Sequence, residues 1–451
     1  MKNIEQLCQD FQYDLENTEK NMLRRRKLVI KSIIVGILSG LIAVAFRFSL
    51  EQAEILRNLA LNFFQQTYWF LAPLVFVGLI LLTVQGVLKF APEAGGSGIP
   101  HLKGVLKGAF HFRALRILIV KFVGGIVGIG SGLALGREGP TVQMGGAIGF
   151  LCSHVLSSNT TERKILTCAG AGAGLAAAFN APFAGLLFVL EELRQDFDRY
   201  RLFDRYSIVA TFTATISSNI VCRILLGQSP VFQLKLVSYS EITLVFWCIL
   251  LGLFLGVWGL FFNVTLMKSL SVLSKFKKLI GIALGILFGI IGLYFPDLLG
   301  TGSSLTNRVA MNEFSLQPLV LLFLMRFILS ILSYNSGTPG GIFAPLLLLG
   351  AMLGTIFWKI TTAYQHFDVT IFFVLGMGGL FSAIVRSPLT GIVLILEMTN
   401  EFYLLLPLMI VAMTAYGIPE FFLNKPIYED LLLLEIQRKS NMVLKQSESH
   451  V

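Results

Sequence analysis

Two stretches of the chain read as copies of one another, and each closes on a turn framed by glycine and ended by proline. Ser131, Gly132, Gly136, Pro140, Gly145 and Gly149 recur as Ser336, Gly337, Gly341, Pro345, Gly350 and Gly354, at a constant offset of 205 residues. Further on, Pro182, Gly185 and Glu191 recur as Pro388, Gly391 and Glu397, the offset having grown to 206. Matching Gly/Pro breaks in the two halves of a duplicated membrane chain point to a binding site between those halves. The breaks Gly136–Pro140 and Gly341–Pro345 are therefore the first place to look for chemistry.

The chain has the composition of a membrane protein. Of its 451 residues, 55% are hydrophobic and 14% charged, where soluble domains carry roughly 25% charge. Apolar stretches include Ser32–Phe46, Trp69–Phe90, Ile165–Leu190, Ile242–Leu266 and Ile371–Ala383, several near the roughly 20 residues that a spanning helix needs. The first follows a charged segment and lacks a small-residue cleavage site, so it does not read as a removable signal peptide. The net charge of +10 does not call for nucleic acid. Its basic residues gather at the ends of apolar runs (Arg24 to Lys27, Arg194 to Arg205, Lys275 to Lys278, Arg438 and Lys439), as topogenic charge does. That pattern places both termini in the cytoplasm.

Residues 1–27 read as a cytoplasmic N-terminal segment, 28–205 and 206–432 as two transmembrane repeats, and 433–451 as a cytoplasmic tail. Glycines at small-xxx-small spacing, such as Gly145/Gly149 and Gly350/Gly354, let helix backbones approach closely in lipid. Neither the five cysteines nor the five histidines show ligand spacing, so no metal or cofactor site is expected.

Three segments share one construction. Gly95-Gly96-Ser97-Gly98-Ile99-Pro100 places a hydroxyl in a flexible turn, with proline where a helix would start. Gly136-Arg137-Glu138-Gly139-Pro140 and Gly340-Gly341-Ile342-Phe343-Ala344-Pro345 repeat the design. Proline is tolerated in a first helical turn, and free N–H groups there, with the positive end of the helix dipole, suit a small anion. Glu138 is the unusual residue, a carboxylate where amides converge. Charged, it would occupy an anion site itself; protonated, it would leave. The alternative is an ion pair with Arg137. Intramembrane acids are functional by default.

Glu191 and Glu192 end a long apolar run. Either could pair with Arg194 or Arg386. Glu191 has a counterpart in Glu397, which suits a shared structural job such as satisfying buried amides. Glu192 aligns with Met398, and an acid unique to one half is the better proton-relay candidate. Tyr428, where the last apolar run meets the tail, reads on these grounds as an interfacial anchor.

Together these segments resemble the CLC family of chloride channels and proton–chloride exchangers. The resemblance covers about residues 28–432 and rests on GSGIP (Gly96–Pro100), GREGP (Gly136–Pro140), GIFAP (Gly341–Pro345), the run Ala176–Glu192, and KPIY (Lys425–Tyr428). It implies an all-α polytopic fold of two inverted-topology repeats, with tilted and partial helices, assembled as a homodimer with one pore per subunit. It also overturns the anchor reading of Tyr428: this hydroxyl and that of Ser97 would flank the central chloride, with the amides of Ile342 and Phe343. The amides of Arg137, Glu138 and Gly139 would line an outer site. Glu138 would be the external gating glutamate and Glu192 the internal one of exchangers. Serine at 97 is similar to chloride-preferring members; the fluoride-exporting branch departs from GREGP and lacks the tyrosine. The compact chain is similar to prokaryotic members, implying an inner-membrane location.

The expected function is therefore secondary exchange of chloride for protons. A passive voltage- or pH-gated chloride channel is the alternative. An intramembrane hydrolase would need a base positioned beside its nucleophile, and no histidine is spaced for that role.

Overall fold

The computed structural model describes residues 4–193, 205–228, 232 and 242–448. Among these, the first part of the chain forms α1 (Ile4–Thr67), α2 (Leu71–Phe90), α3 (Ile99–Leu106), α4 (Ala114–Gly130), α5 (Glu138–Val155), α6 (Thr160–Phe179), α7 (Pro182–Phe188) and α8 (Arg205–Leu226). The second part forms α9 (Thr243–Leu273), α10 (Lys277–Tyr294), α11 (Ser303–Ala310), α12 (Leu316–Asn335), α13 (Phe343–Thr361), α14 (Val369–Val385), α15 (Pro388–Thr399) and α16 (Leu405–Phe421); α17 (Ile427–Glu448) follows. Each helix from α1 to α8 has a counterpart eight places later. The packing repeats as well: α8 lies on α1, α6 and α7 as α16 lies on α9, α14 and α15.

This pairing puts the junction of the halves between α8 and α9. Division of the sequence at 205/206 falls earlier because the recurring motifs stop at Glu191 and Glu397, leaving α8 and α16 without a shared signature. Helix α1 runs unbroken through residue 27, and α17 runs through residue 432. The boundaries expected there coincide with changes in polarity and not with breaks in the backbone.

The described residues include no strand, only two isolated backbone pairings, Gly96 with Pro339 and Gly136 with Gly341. Seven stretches, among them Arg26–Gln65, Leu71–Phe90 and Phe402–Phe421, are long and apolar enough to cross a bilayer. The shortest helices are α7 with seven residues and α3 and α11 with eight each. The apolar run Ile165–Leu190, which reads as one stretch, is in fact two helices. Residues before proline disfavour the α conformation, and the chain turns at Asn180, with φ +56°, ahead of Pro182. Arg386, φ +68°, makes the same turn ahead of Pro388 in the second half.

The two halves also share their seams. On the α5/α6 contact a Cβ at Gly149 would collide with the carbonyl of Leu166, and on α13/α14 a Cβ at Gly354 would collide with that of Phe372. Backbones this close gain dispersion contacts where lipid offers no hydrophobic drive. Asn159 caps α6 through the amide of Glu162 (2.8 Å), and Asp368 caps α14 through that of Thr370 (2.7 Å). Packed this way, the two halves bring the starts of α5 and α13 together.

Candidate functional site

Helix α5 begins at Glu138 and α13 at Phe343, so both broken segments do place helix N-termini where the sequence anticipates them. The two starts are tied by a reciprocal pair of bonds. Gly136 N donates to Gly341 O and Gly341 N to Gly136 O, both at 2.7 Å. The third segment closes on them: Gly340 N donates to Gly96 O, and Gly96 N to Thr338 O, each at 3.0 Å. A Cβ at Gly139 would lie 2.9 Å from Ser97 Cα, and one at Gly341 would lie 2.9 Å from Gly139 N. Glycine is required at both positions because three backbones meet there. Pro140 and Pro345 follow within the first turns of their helices, and Pro100 within that of α3. Gly98, the residue before α3, is left-handed with φ +80°, a conformation open to glycine; Ile99 behind it is fully buried.

Glu138 points into this junction. Its side chain is 4% exposed. Oε2 accepts from the amide of Ala344, one of the free N–H groups opening α13, at 3.3 Å. It also sits against Gly136 so closely that a Cβ there would overlap it. Arg137 Nε stands 4.0 Å from Oε1, so the adjacent pair does meet, at the limit of an ion pair. The carboxylate thus has both partners weighed from sequence, with the amide the nearer.

Ser97 and Tyr428 are each 0% exposed; the Tyr428 hydroxyl lacks a hydrogen-bond partner among the described residues, and the Ser97 hydroxyl makes no well-formed bond there, having only the Tyr334 phenol beside it. Buried hydroxyls normally find a partner, so two hydroxyls this poorly satisfied beside helix N-termini mark a place for an acceptor. Full burial also removes Tyr428 from the class of interfacial anchors. Its ring stacks on Phe343 (centroids 5.9 Å apart, 22° between planes), and Phe343 in turn meets Phe179, Phe188 and Phe381. Ile342 is 1% exposed. An apolar, aromatic wall therefore surrounds the donors.

Two cavities reach residues of this junction. One, of about 580 Å³, is lined by Gly95, Gly96, Tyr334, Lys277, Glu435 and Arg438. The other, of about 270 Å³, is lined by Glu138, Ala344, Arg137, Arg47, Glu51 and Thr301. Ser97 follows a lining residue of the first, and Glu138 belongs to the second.

Glu191 and Glu192 lie where the last turn of the α7 run widens to a π-helix (Val189–Leu193), a distortion common at functional sites. Their roles separate. Glu191 accepts from the amides of Leu389 and Thr390 (3.0 and 2.7 Å), opening α15, and from the Thr390 hydroxyl. Glu397 accepts from the amides of Phe183 and Ala184 (3.1 and 2.9 Å), opening α7. Both therefore satisfy helix-opening amides, which are half-buried or exposed and not fully buried as the sequence suggests. Glu192 instead takes Lys103 Nζ at 2.7 Å, both side chains being about 5% exposed or less, and the Ser387 hydroxyl at 3.2 Å. Arg386 pairs with Glu420 at 2.6 Å. Arg194 lies outside the described residues. Tyr428 is near enough to both Glu138 and Glu192 to interact electrostatically.

Sequence reasoning missed three elements. Lys103, the partner of Glu192, looked like one more basic residue. The Gly95–Pro100 segment, which seemed unpaired, has a counterpart in Gly300-Thr301-Gly302: Gly96 and Gly98 (φ +60° and +80°) correspond to Gly300 and Gly302 (φ +62° and +79°). Two glycines around a hydroxyl was the available signal. The third is the pair Lys121 and Arg326, taken up below. No group of three His, Cys, Asp or Glu side chains among the described residues converges as metal ligands would.

Fold and site together define a polytopic membrane protein of two inverted repeats, with a buried niche of amides and hydroxyls where the halves meet. The chain belongs to the voltage-gated chloride channel (CLC) family, whose family model matches residues 78–420. It is 41% identical to the H(+)/Cl(-) exchange transporter ClcA of Salmonella arizonae over 419 residues, covering 90% of this chain and 88% of that one; the same figures hold for ClcA of Salmonella paratyphi B. Among solved structures, a slow cyanobacterial Cl-/H+ antiporter superposes with a TM-score of 0.86 at 30% identity, over 92% of this chain and 99% of that one. A CLC-type fluoride/proton antiporter shares the fold, with a TM-score of 0.74 at 21% identity, over 89% and 97%.

Proposed function

We propose that the chain is a secondary active antiporter that exchanges chloride for protons. The observation that carries this reading is the placement of Glu138: its carboxylate takes an amide at the start of α13, where a small anion would bind. A bare carboxylate and chloride compete for the same donors, and the neutral acid does not. Proton uptake at Glu138 therefore frees the niche, which links the two fluxes.

In this reading Ser97 and Tyr428 give their hydroxyls to the central chloride, and the amides of Ile342 and Phe343 complete its shell. The amides of Arg137, Glu138 and Gly139 form the outer site. Gly96 to Pro100, Gly136 to Pro140 and Gly341 to Pro345 supply the turns that aim these donors. Glu192 receives the proton from the cytoplasmic side and Glu138 exchanges it with the other. The chain works in the inner membrane of a prokaryote, with both termini cytoplasmic, as a homodimer whose subunits each hold a full set of donors. The relatives named as H+/Cl- exchangers support the substrate pair.

The test is proton uptake driven by a chloride gradient in proteoliposomes of purified protein. Chloride-driven proton movement against its gradient is the expected result. A reversal potential that follows chloride alone and ignores pH would show a passive channel instead.

A further inference from the structure

Lys121 is a lysine with no exposure at all, in the middle of α4. A buried ammonium is costly unless it is fully hydrogen-bonded. Its Nζ donates to the carbonyls of Ala94 (2.9 Å) and Gly96 (2.7 Å), on either side of Gly95 and immediately ahead of Ser97. The second half holds the same device. Arg326 of α12, also 0% exposed, donates through Nη1 to Leu298 O (2.7 Å) and through Nη2 to Gly300 O (2.6 Å), ahead of Thr301. Turn, hydroxyl and cation have thus been duplicated together, although neither the cation type nor the turn sequence is kept.

The peptide unit is planar and trans, so its C=O and N–H point in opposite directions. A cation that holds the Gly96 carbonyl therefore also fixes the direction of the Ser97 N–H. It keeps a carbonyl oxygen, which would repel an anion, from swinging toward the Ser97 hydroxyl. Glycine flanks Ser97 on both sides and costs little to rotate, so the turn draws on this anchor together with the Gly340 N–H that shares the Gly96 carbonyl.

We infer that Lys121 is the positioning residue for anion affinity and selectivity at Ser97, acting by locking the Ala94 and Gly96 carbonyls away from the anion. This rests on the chloride reading above and adds what holds that site's hydroxyl in place. Lys121 touches no anion itself in this scheme.

The experiment compares Lys121→Met, Lys121→Arg and Arg326→Met with wild type, using chloride titrated calorimetrically into purified protein and the chloride-to-nitrate flux ratio in proteoliposomes. Lys121→Met is expected to weaken chloride binding about tenfold, the scale of one well-made polar interaction, and to lower the chloride-to-nitrate ratio. Lys121→Arg, imitating Arg326, is expected to keep both within about twofold. Arg326→Met, which frees the other turn, is expected to leave the affinity within about twofold as well. Wild-type affinity and ratio in a monodisperse Lys121→Met protein would overturn the inference, as would an equal loss in Arg326→Met. Should Lys121→Met fail to fold, the arginine variant decides: retained selectivity supports the inference and lost selectivity overturns it. Absence of chloride binding by wild type would instead overturn the transport reading.

Discussion

Glu191 and Glu397 cap each other's helices: the acid closing the α7 run satisfies the first amides of α15, and the acid on α15 satisfies those of α7. The two halves are thereby bound through a pair of charge-assisted contacts related by the repeat. Amide bonds to a carboxylate are stronger than neutral ones.

Removing either cap should loosen the structure without touching coupling. Glu397→Ala leaves the amides of Phe183 and Ala184 unpaired, at a cost of about 1–3 kcal/mol. Thermal unfolding in detergent should fall by several degrees for this variant and for Glu191→Ala, with the ratio of chloride to proton flux unchanged. An altered ratio with unchanged stability would contradict the assignment.

Glu138→Gln keeps the shape of the side chain but removes its charge. Proton movement should disappear in proteoliposomes while chloride flux persists, and Glu138→Ala should behave alike. Retained proton flux in either variant would remove Glu138 from the proton route.

Glu192→Gln should also abolish proton transport with chloride flux retained, but it carries a structural penalty. Lys103 would lose its buried counter-charge, and breaking one side of such a pair typically costs about 3–5 kcal/mol. Adding Lys103→Met should restore thermal stability and leave proton flux absent. Recovery of proton flux in the double variant would show that Glu192 serves only as an ion-pair partner.

The helix seams allow a purely steric test. Gly354→Val places a side chain against the Phe372 carbonyl, which no rotamer avoids because the clash begins at Cβ. Loss of monodisperse protein is expected, whereas Gly78→Val on α2, where a Cβ meets nothing within 4 Å, should fold normally.

Glu435, on the tail helix α17, supplies a pH dependence. Burial pushes its carboxyl up to about 7, against the opposing pull of Lys121, Arg438 and Lys277; Tyr334 faces it as well. The fold favours the protonated acid, so this contribution to stability is complete below the unfolded value of roughly 4.3 and is lost as pH rises toward neutrality. Melting curves of Glu435→Gln should show a smaller decline between these limits than wild type. An identical decline would mean that other groups set it.

The site was legible where backbone geometry forces residue choice. Gly139 and Gly341 cannot change without a collision, and the prolines behind them mark helix starts, so those segments survive duplication in readable form. Glu138 stood out because a carboxylate among free amides has few structural uses. Lys121 and Arg326 left a fainter trace: they stand at the repeat's own offset of 205, but one is a lysine and the other an arginine, each inside an apolar run, and the carbonyls they hold reveal what they do. The turn at Gly300 escaped for a similar reason, since two glycines and a hydroxyl are all that it shares with its partner. The division of the halves was misplaced because α8 and α16 are related by their neighbours and not by motif. In each case the lost information lies in contacts between distant segments.

Helix α3 is only eight residues long, about 12 Å of rod, yet Ser97 stands just before its first turn and Lys103 near its far end. That short rod sets the separation between the turn that carries Ser97 and the lysine that holds Glu192. Under the exchange reading, the hydroxyl offered to the halide and the counter-ion of the inner acid are therefore spaced by one short crossbar, with Gly98 as the joint between Ser97 and that bar.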